Sequence, residues 1–227
     1  VAGDVFLGYL HPNEVSSSFL TSLMALVGHD TGLSRRLGGW AAVKCAGGGI
    51  PEGRNIVTKS MLDTPSAEWL FFIDADMGFE PNTLDHLLQA ADPVERPIVG
   101  GLCFAQRELV ADRMGGFRCV ARPTILHWTK NDDGVHRFTG RDHFPVNSMV
   151  QVDATGAACL VIHRSVLERM RDEYGESWWT RTPGLDGALM GEDISFFARV
   201  AALEVPAYVH TGIRTSHMKN LWLAEDD

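Results

Sequence analysis

The run Trp69-Leu-Phe-Phe-Ile73 constrains the fold more than any other stretch of this chain. Five consecutive apolar residues without polar alternation describe a strand covered on both faces, as in a sheet packed between layers of helices. The run ends in Asp74-Ala75-Asp76, where the strand would emerge from the core. Two carboxylates one residue apart repel each other unless a cation sits between them. A divalent metal is the obvious candidate, and a metal implies a ligand whose negative charge it offsets.

The flanking pattern extends this strand into a sheet. Residues 4–10 read as a strand, followed by a helix with Asn13 as N-cap and Val15, Phe19, Leu23, Leu26 and Val27 at helical spacing. Residues 40–46 read as a second strand, a glycine-rich loop follows, and a helix starts near Arg54. After the 69–73 strand, Pro81 opens a third helix, and residues 96–104 give a fourth strand. Strands alternating with helices of this length indicate a mostly parallel sheet. In the second half, two β-rich runs flank the turn-former Asn131-Asp-Asp-Gly134, which predicts a small hairpin laid on the α/β core. A strand at 157–163, a helix after it, a Trp-rich connection, a helix opened by Glu192-Asp193 and a last strand complete the pattern. In open α/β sheets, ligands sit beyond the carboxyl ends of the strands, where Asp74 and Asp76 fall.

With 45% hydrophobic residues, the 227-residue chain can bury one core, and no linker or repeat divides it. No apolar stretch approaches the ~20 residues of a membrane span. The opening VAGDVFLGYL lacks the basic start and cleavage pattern of a secretory leader, and without an initiator Met it is compatible with a processed or trimmed start. Cys45, Cys103, Cys119 and Cys159 form no C-x-x-C pair, which suits reduced thiols and a cytoplasmic setting. A net charge of −9 gives no global field favouring nucleic acid or an anionic membrane.

Each chemical motif has a bland counterpart. Asp-x-Asp is a short motif that arises by chance, but a preceding strand, Gly78 and a proline helix start raise its weight. Glu192 and Asp193 suit any helix's first turn, because carboxylates complement the macrodipole there. His217 follows the last strand and could swing toward a site beyond the sheet, whereas His210 sits inside that strand and reads as packed. Arg54-Asn55, at a helix start after a glycine-rich loop, could hold phosphate or a base edge, or be a polar first turn. Trp178 and Trp179 could form a stacking platform for a sugar ring or anchor a loop to the core. The stretch KCAGGGIPEG lacks the G-K-[ST] ending of a phosphate-binding P-loop.

In order along the chain, EGRNIVTKSML, WLFFIDADMGFEPNTL, VDATGAACLVIHRSVLERM, GEDISFFARVAALEVPAYVHTGI and RTSHMK resemble the GT-A glycosyltransferases. The likeness is to the family-two-like group and its short relatives in phages and bacteria, and it spans residues 4–219. It implies one GT-A type, Rossmann-like domain over residues 1–227. Residues 1–104 would form the nucleotide-sugar-binding half and residues 105–227 the acceptor and catalytic half. By the same resemblance, Asp76 ligates Mn²⁺ or Mg²⁺, Asp74 reaches the metal or the donor's hydroxyls, and His217 completes the metal shell. Asp193, or its neighbour Glu192, would be the catalytic base of an inverting hexosyltransferase. The first loop from Gly8 to Pro12, with Gly8, Tyr9 and Pro12 as its candidate residues, and Arg54 would lie near the donor, with a UDP-sugar favoured. The segment GYLHP departs from the usual start, so the base identity is open, and so is the acceptor: a protein, a glycan, a lipid-linked sugar or a modified nucleic acid. Two other classes remain: a phosphohydrolase with an Asp nucleophile, and a non-catalytic nucleotide- or carbohydrate-binding relative.

Overall fold

A computed structural model describes residues 3–45, 49–111, 117–130, 134, 136–141, 143–185 and 187–218. The first half runs β1 (Val5–His11), α1 (Ser17–His29), a π-helical turn (Asp30–Ser34), β2 (Leu37–Lys44), α2 (Ile50–Leu62) and β3 (Trp69–Ile73). It continues with β4 (Met77–Gly78), α3 (Thr83–Ala90) and β5 (Ile98–Leu102). Two hairpins follow, β6 (Phe104–Ala111) with β7 (Phe117–Pro123), and β8 (Leu126–Lys130) with β9 (His136–Gly140). The chain then forms β10 (Met149–Val152), β11 (Cys159–His163), α4 (Arg164–Tyr174), α5 (Glu192–Ala202), β12 (Ala207–Arg214) and β13 (Ser216–His217).

Seven strands make the central sheet in the order β10-β12-β5-β11-β3-β1-β2. The pairs β1/β2, β1/β3 and β5/β12 are parallel, while β11 is antiparallel to both neighbours and β10 to β12. Five strands therefore run one way and two the other, the mostly parallel α/β sheet the sequence predicts. The predicted hairpin is β8/β9; Asn131, Asp132 and Asp133 of its turn lie outside the described residues. The β6/β7 hairpin was not predicted.

All five residues of β3 are buried, and their side chains alternate between two cores. Leu70 and Phe72 join Val57, Met61, Val166, Met170, Phe196 and Phe197 under α2, α4 and α5. Trp69, Phe71 and Ile73 join Phe19, Leu26, Leu84 and Leu87 under α1 and α3. Helices thus cover both faces, as an apolar run without alternation requires. Two local expectations are corrected. Ser16, not Asn13, caps α1, its hydroxyl accepting the Phe19 N–H at 3.1 Å. Helix α2 begins at Ile50, with Pro51 in its first turn, so Arg54 lies one turn inside. Among the described residues, no helix is long and apolar enough to cross a membrane.

Candidate active site

Beyond the carboxyl ends of β1 and β3 lies an open cleft of about 580 Å³. Its walls include Leu10, His11 and Pro12 from the end of β1, Ile50 and Arg54 from α2, Asp74 to Asp76, and His217. That volume falls within the range of small-ligand and cofactor sites. The sheet polarity places the strand-end carboxylates at this crevice.

Asp76 and His217 are 141 positions apart in sequence, yet Asp76 Oδ2 lies 2.9 Å from His217 Nε2. A two-stranded ribbon brings them together: β13 pairs antiparallel with β4, aligning His217 with Met77, and the Met218 N–H donates to the Asp76 carbonyl at 2.8 Å. On the other side of the ring, His217 Nδ1 is 2.8 Å from the Phe104 carbonyl. Both partners are acceptors, the Phe104 carbonyl at Nδ1 and the Asp76 carboxylate at Nε2, so each ring nitrogen is placed as a donor, and a cation at Nε2 would take the place of its proton. A ring fixed from behind by a carbonyl is the usual support of a metal-ligating histidine. Among the described residues, no three His, Cys, Asp or Glu side chains gather closely enough to hold an ion by themselves. The donor set is therefore a pair, the Asp76 carboxylate and the His217 imidazole, with Asp74 lining the same cleft but bonded to Arg54. It fits a hard divalent cation whose remaining positions go to ligand oxygens and water.

Asp74 faces a different partner. Its Oδ1 accepts from Arg54 Nη2 at 3.2 Å, and Arg54 Nη1 donates to the Ala157 carbonyl at 3.3 Å. The cation that relieves the Asp74/Asp76 repulsion from within the protein is thus a buried guanidinium. It lies against the corner formed by the edge-to-face rings of Phe72 and Trp179, whose centroids are 5.4 and 5.1 Å from its carbon. Arg54 borders the cleft, but its side chain is only 5% exposed. It stands behind Asp74 rather than projecting toward a donor.

The Glu192-Asp193 pair opens α5 on the far side of Arg54. Glu192 is buried, with Oε1 3.9 Å from Arg54 Nε and Oε2 3.9 Å from Arg181 Nε. Asp193 Oδ1 accepts from the Ile194 N–H at 2.8 Å, and its other oxygen faces the bare Cα of Gly156. Burial raises the Asp193 pKa above the ordinary aspartate value; the Ile194 N–H opposes the rise and the Glu192 charge adds to it. A carboxylate tuned upward near a cleft is a candidate acid or base.

Three expectations are corrected by packing. Trp178 and Trp179 are 1% and 0% exposed, so neither offers a face to a sugar. Trp179 stacks on Phe196, with centroids 4.2 Å apart and planes 7° from parallel, and its indole N–H donates to Thr58 Oγ1. The Trp178 indole N–H donates to the Leu167 carbonyl. Asn55, for which a ligand contact was one of two readings, clamps the Trp179 backbone by two hydrogen bonds of 2.8 and 2.9 Å. Of the first-loop residues, Pro12 lines the cleft while Gly8 and Tyr9 do not. A Cβ on Gly8 would lie 2.2 Å from Val57 Cγ1, so this glycine lets α2 approach β1. Tyr9 packs on Phe19 beneath α1. Leu10 and His11, inside the Gly8 to Pro12 segment expected near the nucleotide, do line the cleft.

No protein-family profile matches the chain, and no curated protein sequence matches it. Solved structures do. A197 from STIV superposes with a TM-score of 0.53 at 14% identity, covering 95% of this chain and 86% of that one. GalNAc-T7, solved with UDP, GalNAc and Mn²⁺, superposes with a TM-score of 0.58 at 11% identity. That match covers 97% of this chain but 44% of GalNAc-T7, so the chain spans less than half of that protein's length. At these identities the likeness is one of fold, and the fold of this chain is a GT-A-like, Rossmann-like α/β sandwich.

Proposed function

We propose that the protein is a metal-dependent glycosyltransferase. In this reading it moves a sugar, a hexose by preference, from a nucleoside-diphosphate donor, UDP favoured, to an acceptor hydroxyl. The observation that carries the reading is the pairing of Asp76 with His217 at the head of the fully buried strand β3, inside a cleft large enough for a nucleotide. The GT-A-like fold supports it. So does GalNAc-T7, the structural neighbour solved with UDP, GalNAc and Mn²⁺. Asp76, His217 and Asp74 would hold Mn²⁺, or Mg²⁺, together with diphosphate oxygens. Bound there, the ion offsets the negative charge that develops on the leaving diphosphate. Pro12 and its neighbours in the cleft would face the nucleoside.

Asp193 is the better base of the acidic pair. Its raised pKa makes it the stronger proton acceptor, whereas Glu192 lies within ion-pair distance of Arg54 and Arg181. Proton transfer from the acceptor hydroxyl to Asp193, with attack on the face of the anomeric carbon opposite the leaving group, gives inversion.

Calorimetric titration of nucleoside diphosphates with and without Mn²⁺ tests the donor and metal parts together. Mn²⁺ should tighten UDP binding at least tenfold in the wild type. Asp76→Ala should abolish that gain, and His217→Ala should weaken it less, because water can fill one coordination position. UDP affinity independent of Mn²⁺ and equal in wild type and Asp76→Ala would overturn the reading.

A further inference from the structure

Arg54 sits between the two acidic clusters and leaves one bond unmade. Its Nη1 and Nη2 are hydrogen-bonded, but the Nε–H is buried without an acceptor among the described residues. The acceptor that Nε comes nearest as an ion pair is Glu192 Oε1, at 3.9 Å, about 1 Å longer than a typical N–H···O hydrogen bond. A buried donor left this close to a carboxylate is unusual, since buried N–H groups are nearly always paired. The guanidinium cannot shed its charge, because arginine stays protonated in proteins. Its cage is also well fixed. Trp179 is held by Asn55, Thr58 and Phe196, and Phe72 belongs to the sheet. The remaining freedom is a small shift of the planar fork between Asp74 on one side and Glu192 on the other.

We propose that Arg54 is a positioning residue that couples the cation side of the cleft to the acidic start of α5, closing its Nε onto Glu192 when Asp74 is engaged by ligand. The proposal rests on the functional reading only for the identity of that ligand. A divalent cation on Asp74 competes with Arg54 for the same carboxylate charge. With Asp74 less available, the fork's strongest remaining partner is Glu192. Drawing Glu192 toward Arg54 fixes the first turn of α5, and with it the orientation of Asp193 next in sequence. A lysine cannot substitute, because a single ammonium cannot span both carboxylates with the fork geometry.

The Arg54 Nε–Hε cross-peak in a ¹H–¹⁵N spectrum reports this directly, without an activity assay. Mg²⁺ serves as the ion, being diamagnetic, with UDP added to the full chain. On saturation, the Hε signal should move downfield and its exchange with water should slow. Glu192→Gln should remove most of that movement while the rest of the spectrum still reports binding. A signal that stays in place while other cleft resonances shift overturns the coupling.

If no resonance shifts at all, the nucleotide and metal reading fails instead. The coupling is then judged from Asp74→Asn alone, which removes the competing charge without any ligand. Downfield movement of Hε in Asp74→Asn, absent from Asp74→Asn/Glu192→Gln, supports it. An unmoved Hε in Asp74→Asn overturns it. Arg54→Lys, with folding checked by its thermal unfolding, should lose the response to ligand of the α5 first-turn amides. Wild-type-like movement of those amides in Arg54→Lys also overturns the proposal.

Discussion

Glu192 and Asp193 are sequence neighbours, yet on a helix their side chains diverge by about 100° and meet different surroundings. Glu192 lies between Arg54 and Arg181, while Asp193 loses solvent without gaining a cation at hydrogen-bond distance. For the proposed reaction, Asp193→Asn should keep donor and Mn²⁺ binding but lower transfer by about 10²–10⁴-fold, the usual worth of a positioned base. Glu192→Gln should be milder. Single-turnover transfer beside calorimetric donor binding separates the two effects, and near-wild-type transfer by Asp193→Asn would remove it from the mechanism. The raised pKa also sets a pH dependence. A base acts deprotonated, so the acid limb of kcat/KM should lie above the ordinary aspartate value. The same shift bears on stability. The folded state holds this proton more tightly than the unfolded chain does, so the Asp193 contribution to stability falls as pH rises from the ordinary to the raised value. Asp193→Asn should flatten that slope in a series of unfolding measurements.

At the scale of elements, packing decides which sequence signals survive. Trp178 and Trp179 stand in a polar, glycine-bearing connection, where an aromatic pair reads equally as a platform or an anchor; contacts with α2, α4 and α5 make them core. Trp179→Ala should therefore destabilise the protein by about 3–5 kcal/mol in urea unfolding, as expected for a buried tryptophan. A sugar platform would instead lose binding with little change in stability. Gly8→Ala should cost about 1–3 kcal/mol, because the new methyl meets Val57 where α2 crosses β1. The double variant Gly8→Ala/Val57→Ala should be less destabilised than the sum of the singles, as contacting pairs are not additive. The strand β3, its terminal carboxylates and the Glu192 start of α5 were legible because each follows from local pattern. The direction of β11 was not. A strand buried on both faces presents the same apolar run whichever way it runs, so nothing local distinguishes parallel from antiparallel. The β6/β7 hairpin was missed although Gly115-Gly116, a turn signal, stands between its two runs in the sequence.

Across the whole molecule, the cleft draws on β1, α2, the end of β3 and the β13 ribbon, so a ligand seated there would tie together distant parts of the chain. Saturation at about 100 Kd should add ~2.7 kcal/mol to global stability. Because His217 belongs to the last described strand, hydrogen exchange at residues 216–218 should slow more on binding than at the β8/β9 hairpin, which lies outside the cleft. Equal protection at both would argue against a ligand seated on Asp76 and His217. The place of β11 in the sheet has a further consequence, for synthesis. Strands β3 and β5 are made early, but β11 lies between them and leaves the ribosome only after both hairpins. Until then, two apolar strands have open edges where their central neighbour belongs, and such edges invite pairing with other chains. A nascent chain of residues 1–104 holds the carboxylate pair and much of the cleft wall, but lacks the strand that joins β3 to β5. Expressed alone, it should aggregate rather than fold, and co-expression with residues 105–227 should restore solubility only by supplying β11 in trans.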